Sequence, residues 1–202
     1  IFSLLDWVSK KALEKQKKEI EEIKDYFSLK ELKSSDLAYY SRIIKEEKYD
    51  LDEKELKKYF EFENVLDYLH RFIENFYSIK IKKVDIDWYN PELRVYEIYK
   101  NDELISYYFL DPYFRKTKRW WAWADNLREK TRIWEKKVPI VLNVCNFQKS
   151  QNCKTTIYMR DAETLFHEFG HAIHEILSES KYSELSGFNV ERDFVELPSQ
   201  LL

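Results

Sequence analysis

The chain has 202 residues, 44% hydrophobic and 35% charged, with a net charge of −3. That length suffices for one sizeable domain with a buried core. Lys and Glu are interleaved with no basic block, which argues against a nucleic-acid partner. No run of about 20 apolar residues is present to span a membrane. Only two Gly and four Pro occur, too few breakers for an all-β sandwich with its many tight turns, so long helices are expected. Aromatic residues make up 17%, and such rings suit half-buried surfaces and cleft walls. Two cysteines, Cys145 and Cys153, lie outside any C-x-x-C pattern, and the N-terminus shows no signal-peptide pattern. A reduced, cytoplasmic chain follows, with no disulfide required.

In chain order, residues 1–80 read as helical. Leu4, Leu5, Val8, Ala12 and Leu13 recur at helical spacing, then Ile20, Ile23 and Phe27. The Lys-rich run from Lys10 to Lys24 alternates with Glu14, Glu19, Glu21 and Glu22, a solvated face with i,i+4 pairs. Ser34-Ser35-Asp36 reads as a cap before a helix carrying Leu37, Tyr40, Ile43 and Ile44. Further helices are expected over Asp52–Tyr59 and about Asn64–Tyr77, the latter burying Val65, Leu66, Leu69, Phe72, Ile73 and Phe76. His70 within it reads as a structural residue and not a ligand.

The texture then changes. Leu93–Tyr99 and Leu104–Leu110, separated by the turn pair Asn101-Asp102, predict an antiparallel hairpin. Pro139–Phe147 is a continuous apolar run and is expected as an interior strand; Thr155–Tyr158 is expected as a short strand. The fold class that follows is mainly α with a small antiparallel β-sheet. The last section returns to helix, over about Ala162–Ser178 with Asp161 as N-cap, and again over Arg192–Leu202 with Pro198 in its early turns.

His167-Glu168-Phe169-Gly170-His171 is an H-E-x-x-H motif. Zinc needs two imidazoles aimed at one point, and an i,i+4 pair supplies them one helical turn apart. At about 100° per residue, the two rings lie within roughly 40° of each other. Leu165, Phe166, Phe169, Ala172, Ile173 and Ile176 fall on the opposite side, so one face packs and the other presents ligands. Glu168, beside that pair, can serve as general base without being a ligand. A catalytic zinc site takes a third protein ligand and keeps its fourth position open. His174 lies two turns from His167, too far along an unbroken helix. A downstream carboxylate is required, and Glu179, Glu184, Glu191 and Glu196 are candidates. Glu191 follows His171 by 20 residues, a separation like that of thermolysin-type enzymes, and Glu196 follows it by 25. Spacing does not choose between them; the helical pattern around Glu196 favours it. Glu163 and Asp193 are candidates for orienting the ligands through hydrogen bonds. A structural zinc site is disfavoured because no Cys lies near the motif. A non-enzymatic helical binding module is the competing reading.

The stretch from Glu163 to His174 resembles the motif of the M3 zinc peptidases. So do Leu185-Ser186-Gly187, Arg192-Asp193-Phe194-Val195-Glu196-Leu197-Pro198-Ser199-Gln200, Tyr39-Tyr40, Arg94-Val95-Tyr96-Glu97, Leu110-Asp111-Pro112-Tyr113 and Arg115-Lys116. The resemblance runs along essentially the whole chain. It implies a gluzincin-type catalytic domain that hydrolyses short peptides in a deep channel between two largely helical halves. It implies one Zn2+ per chain, held by His167, His171 and Glu196, with Glu168 as the base, in a monomeric oligopeptidase or peptidyl-dipeptidase. Leu197 is closer to the oligopeptidase pattern. Where this family carries Gly-Gly after its basic segment, this chain has Trp120 and Trp121. The chain opens on Ile1 and stops at Leu202 inside an apolar pattern. The expectation is therefore a partial catalytic domain: residues 1–80 helical, 93–158 around the sheet and 161–202 carrying the zinc helices. The Tyr and His residues that this family uses to bind substrate are expected beyond it.

Overall fold

The computed structural model describes residues 1–49, 52–131, 137–151 and 154–202. These form two compact units, Ile1–Asp52 and Glu53–Leu202. The first holds α1 (Phe2–Tyr26) and α2 (Leu37–Tyr49), the latter starting directly after the expected cap residues. The two helices meet around the Phe27 and Tyr40 rings, 4.8 Å apart, and the Tyr26 hydroxyl donates to Glu47. Lys15 and Glu19 form one of the expected i,i+4 pairs at 3.7 Å. Leu4, Leu5, Val8 and Leu13 remain exposed, and Ile23 is the one buried residue of α1. Two helices by themselves cannot cover a stripe of that width.

The second unit contains α3 (Glu53–Lys57), α4 (Phe62–Tyr77), a five-stranded sheet, α5 (Met159–Leu177), a 3-10 turn at Ser183–Leu185, α6 (Arg192–Val195) and α7 (Leu197–Gln200). The strands are β1 (Lys80–Val84), β2 (Arg94–Lys100), β3 (Glu103–Tyr113), β4 (Trp123–Arg128) and β5 (Ile140–Phe147), in the order β1-β2-β3-β5-β4. The predicted hairpin is β2–β3. Its turn uses Asn101 and Asp102 at φ +53° and +61°, a left-handed pair that these two residue types tolerate.

The sheet is mixed and not purely antiparallel as expected, because β3 and β5 run parallel. β4 turns back after β3 but takes the edge, leaving a gap that β5 fills as β4's antiparallel partner. β5 therefore runs the same way as β3. The apolar run of β5 suits this interior place, buried on both faces, while polar Trp-Ala-Asp-Asn-Leu-Arg suits the edge. Thr155–Tyr158 is not a strand: Thr156 makes an isolated bridge to Glu61.

Side chains alternate across the sheet. Tyr96, Ile98, Tyr108, Leu110, Val141 and Cys145 face α4 and α5, where they meet Phe62, Leu66, Leu69, Ile73, Leu165, Phe169, Ile173 and Ile176. Burying each large apolar side chain contributes about 1.5–3 kcal/mol. Val95, Phe109, Leu142 and Val144 form a smaller cluster on the other face. His70 is structural as expected: its ring sits 4.8 Å from Tyr96 and 6.0 Å from Phe169. Cys145 is a buried free thiol, pushed up well above its ordinary pKa by burial, and Cys153 lies outside the described residues. No described helix is long and apolar enough to cross a membrane.

Candidate metal centre

α5 begins earlier than its sequence suggests. Tyr158 is the N-cap, and Asp161, expected there, is the third helical residue, whose carboxylate accepts the Tyr158 N–H at 3.0 Å. A carboxylate in the first turn also complements the helix dipole. The helix buries Leu165, Phe169, Ala172, Ile173 and Ile176 and turns His167 and His171 the other way. The imidazole centroids are 5.0 Å apart and the ring planes nearly perpendicular, at 89°.

The predicted single helix over Arg192–Leu202 is instead two short ones, with Glu196 at the junction (φ −83°, ψ −11°). Pro198 is the physical reason. It lacks the N–H that would bond the Phe194 carbonyl, and its ring crowds that turn, but it fits the start of a new helix. The break aims Glu196 at α5. Its Oε2 lies 3.2 Å from the His167 Nε2 and 3.2 Å from the His171 Nε2. Ser199 orients the carboxylate, its hydroxyl lying 3.0 Å from Glu196 Oε2 and 2.8 Å from the Glu196 carbonyl.

Gly170 makes this approach possible. A Cβ there would meet Ser199 Cα at 2.6 Å and the Pro198 carbonyl at 2.9 Å. Both neighbours are backbone, so α7 seats against a gap that only glycine leaves. Sequence reasoning did not assign Gly170 or Ser199 a role. A glycine inside a strong helical pattern is, however, a signal of close packing.

Among the described residues, His167, His171 and Glu196 are the one group of three or more His, Cys, Asp or Glu side chains whose ligand atoms all lie within 4.8 Å. Two nitrogens and one oxygen suit zinc, whose ligands at about 2.1 Å in a tetrahedron lie roughly 3.4 Å from one another. Both Nε2 to Oε2 separations fit that spacing. The Glu196 side chain is 51% exposed and that of His167 38%, against 11% for His171, so the group opens to solvent on one side. Burial, opposed by the Glu196 charge, holds His171 below its ordinary pKa, in the neutral form that a ligand needs.

The other candidates fall elsewhere. Glu179 lines a cavity with Lys100 and Lys137, Glu184 lies in the 3-10 turn, and Glu191 is the N-cap of α6. Glu163 lines an apolar groove beside His167 with Phe60, Met159 and Phe166. His171 Nδ1 is buried without a hydrogen-bond partner among the described residues, so neither Glu163 nor Asp193 orients that ring. His174 is outside the group, with its ring 6.0 Å from Phe194. Glu168 is only 8% exposed, and burial, then the Glu196 charge, pushes its carboxyl up to about 7. A cation among these donors would offset the Glu196 charge and draw it back down. Trp120 and Trp121 are exposed, their segment tied to β5 by the Asn146 amide, which donates to the Arg119 and Trp121 carbonyls.

The chain is 38% identical over 170 residues to a dipeptidyl carboxypeptidase of Escherichia coli K12, a match covering 82% of this chain and 25% of the relative. It is 33% identical over 214 residues to oligopeptidase A of Salmonella typhimurium LT2, covering all of this chain and 31% of the relative. Oligopeptidase A of Escherichia coli K12 is 32% identical over 212 residues, with the same coverage. The chain thus spans a quarter to a third of the length of these relatives. The family model of peptidase family M3 matches residues 2–202, and the chain belongs to that family.

Proposed function

We propose that this chain carries the metal centre of a zinc-dependent oligopeptidase that hydrolyses short peptides, and that His167, His171 and Glu196 hold the ion. The single observation that supports this reading is the meeting of one Glu196 oxygen with both imidazole Nε2 atoms at 3.2 Å. Zinc, when bound, supplies Lewis acidity that polarises a peptide carbonyl and acidifies a water. Glu168 takes the proton from the attacking water on its carboxylate and passes it to the departing amine. Its buried position beside the ligands holds that proton away from bulk solvent. Ser199 keeps Glu196 turned toward the imidazoles, and the apolar face of α5 fixes the angle of both rings. One ion per chain, short peptides as substrates, a monomeric state and a cytoplasmic location complete the proposal.

The test is Glu168→Gln in the whole enzyme. Bound zinc, counted by elemental analysis, should remain at one per chain while peptide hydrolysis falls by about 10²–10⁴-fold. Retained turnover would remove Glu168 from the mechanism. A wild-type chain with no stoichiometric zinc would favour the helical binding module instead. Removal of dipeptides from a free C-terminus is a second reading, favoured by the 38% identity to a dipeptidyl carboxypeptidase. Peptides with amidated C-termini separate the two, since an oligopeptidase should cleave them and a dipeptidyl carboxypeptidase should not.

A further inference from the structure

Glu175 lies on α5 one turn after His171 and is fully buried, at 0% exposure. Its Oε1 accepts the Ser186 hydroxyl at 3.0 Å, and Ser186 is also fully buried. Its Oε2 has no hydrogen-bond partner among the described residues. Gly187 follows at φ +38°, and a Cβ there would fall 1.8 Å from Glu175 Oε2 and 2.6 Å from Glu175 Cα. The chain is therefore pressed onto the carboxyl so closely that no side chain fits between them. Burying a carboxyl with one bare oxygen is unfavourable, so an apolar residue would serve better if filling space were the only requirement.

The surrounding contacts show what the carboxyl holds. The Asn189 N–H bonds the Ser186 carbonyl at 2.8 Å, and the Asn189 side chain donates to the Ser183 carbonyl at 2.9 Å. Between them the Phe188 ring stands 6.3 Å from the His171 ring. Two residues after Asn189, Glu191 caps α6, which leads directly into Glu196. We infer that Glu175 is a positioning residue: it clamps the Ser186–Gly187 turn to α5, and the clamp sets both the His171 ring and the approach of Glu196. This rests on the zinc reading above. It adds a group that touches neither metal nor substrate but fixes the third ligand from the far side of the loop.

Zinc affinity by chelator competition, and hydrogen exchange of residues 192–200 without metal, test the clamp. Ser186→Ala should weaken zinc binding by about tenfold, through loss of its buried hydrogen bond to Glu175 together with its 3.3 Å contact to the Ser178 hydroxyl. Glu175→Ala should weaken it by about 10–100-fold, as loss of outer support for ligands does. Both should speed exchange over residues 192–200. Glu175→Gln keeps an oxygen for Ser186 and should stay within about threefold of wild type. Ile73→Val in α4, a buried change of comparable cost to folding, should leave zinc affinity alone. The inference is overturned if Ser186→Ala and Glu175→Ala bind zinc no worse than Ile73→Val. If Glu175→Ala does not fold, Ser186→Ala decides by itself. If the wild-type chain takes up no zinc, the metal reading fails, while unchanged exchange over 192–200 in Ser186→Ala would separately sink the clamp.

Discussion

Gly170→Ala tests how closely α7 must seat on α5. In an exposed helix the change would stabilise by about 0.5–1 kcal/mol, because alanine loses less backbone freedom than glycine on folding. Here the added methyl would lie 2.6 Å from Ser199 Cα and 2.9 Å from the Pro198 carbonyl. Carbon pairs rest at about 3.5–4.0 Å, so α7 has to retreat by roughly 1 Å. Overpacking of this kind costs about 1–3 kcal/mol, which outweighs the gain in helix propensity. Metal–ligand distances tolerate only about 0.2 Å, and Glu196 opens α7, so the retreat moves the third ligand out of range. Gly170→Ala should therefore lower the melting temperature of the metal-free chain slightly and raise the zinc dissociation constant by about 10–100-fold. Chelator competition reads the affinity, and melting with and without zinc reads the linkage. A variant that melts higher than wild type and binds zinc within about twofold of it would refute the reasoning.

Three other outcomes are expected. Glu196→Gln should abolish stoichiometric zinc, measured by elemental analysis after dialysis, because a neutral amide oxygen replaces the one charged donor facing both imidazoles. Asp111 is buried with Arg115 on both oxygens, Lys118 at 3.2 Å and the Tyr89 hydroxyl at 2.9 Å. Burial opposes its ionisation, but these partners outweigh burial and hold its pKa down. Asp111→Asn should cost about 1–3 kcal/mol in urea unfolding, since Arg115 loses its two-oxygen partner while Lys118 keeps the Asp111, Tyr113 and Cys145 carbonyls. Burial, then the Arg94 charge, lowers His70 from 6.5 to about 4. Its folded state prefers the neutral ring, so its contribution is complete above pH 6.5 and is lost as pH falls toward 4. The loss is about 3 kcal/mol at most. His70→Leu should flatten the stability curve across that window, and parallel curves for the two proteins would refute the assignment.

Much of the fold was legible locally. The α4 and α5 patterns have a 3.6-residue period, the β2–β3 hairpin has paired turn residues, and β5 is apolar but for Asn143 and Asn146, so each element announces itself within its own segment. The H-E-x-x-H spacing likewise specifies two imidazoles on one helix face, whatever surrounds them. β1 and β4 went unrecognised because their polar residues carry no alternation strong enough to mark a strand, and both depend on a neighbour's hydrogen bonds. The parallel β3–β5 pairing was invisible for a related reason: strand direction follows from which edge β4 occupies, a choice made between segments.

What the sequence determined by itself is a chemistry, two histidines and an adjacent carboxylate at helical spacing, because those distances are set by the helix alone. What only the tertiary structure decided is convergence. Four carboxylates downstream were open by spacing, and Glu196 meets the imidazoles because Pro198 breaks a helix beside it, Gly170 leaves a gap for α7, and Ser199 turns the carboxylate inward. Each of those contacts joins residues whose separation along the chain says nothing about their separation in space, so spacing left them open; the resemblance to the M3 peptidases implied Glu196, but not the contacts that bring it to the imidazoles.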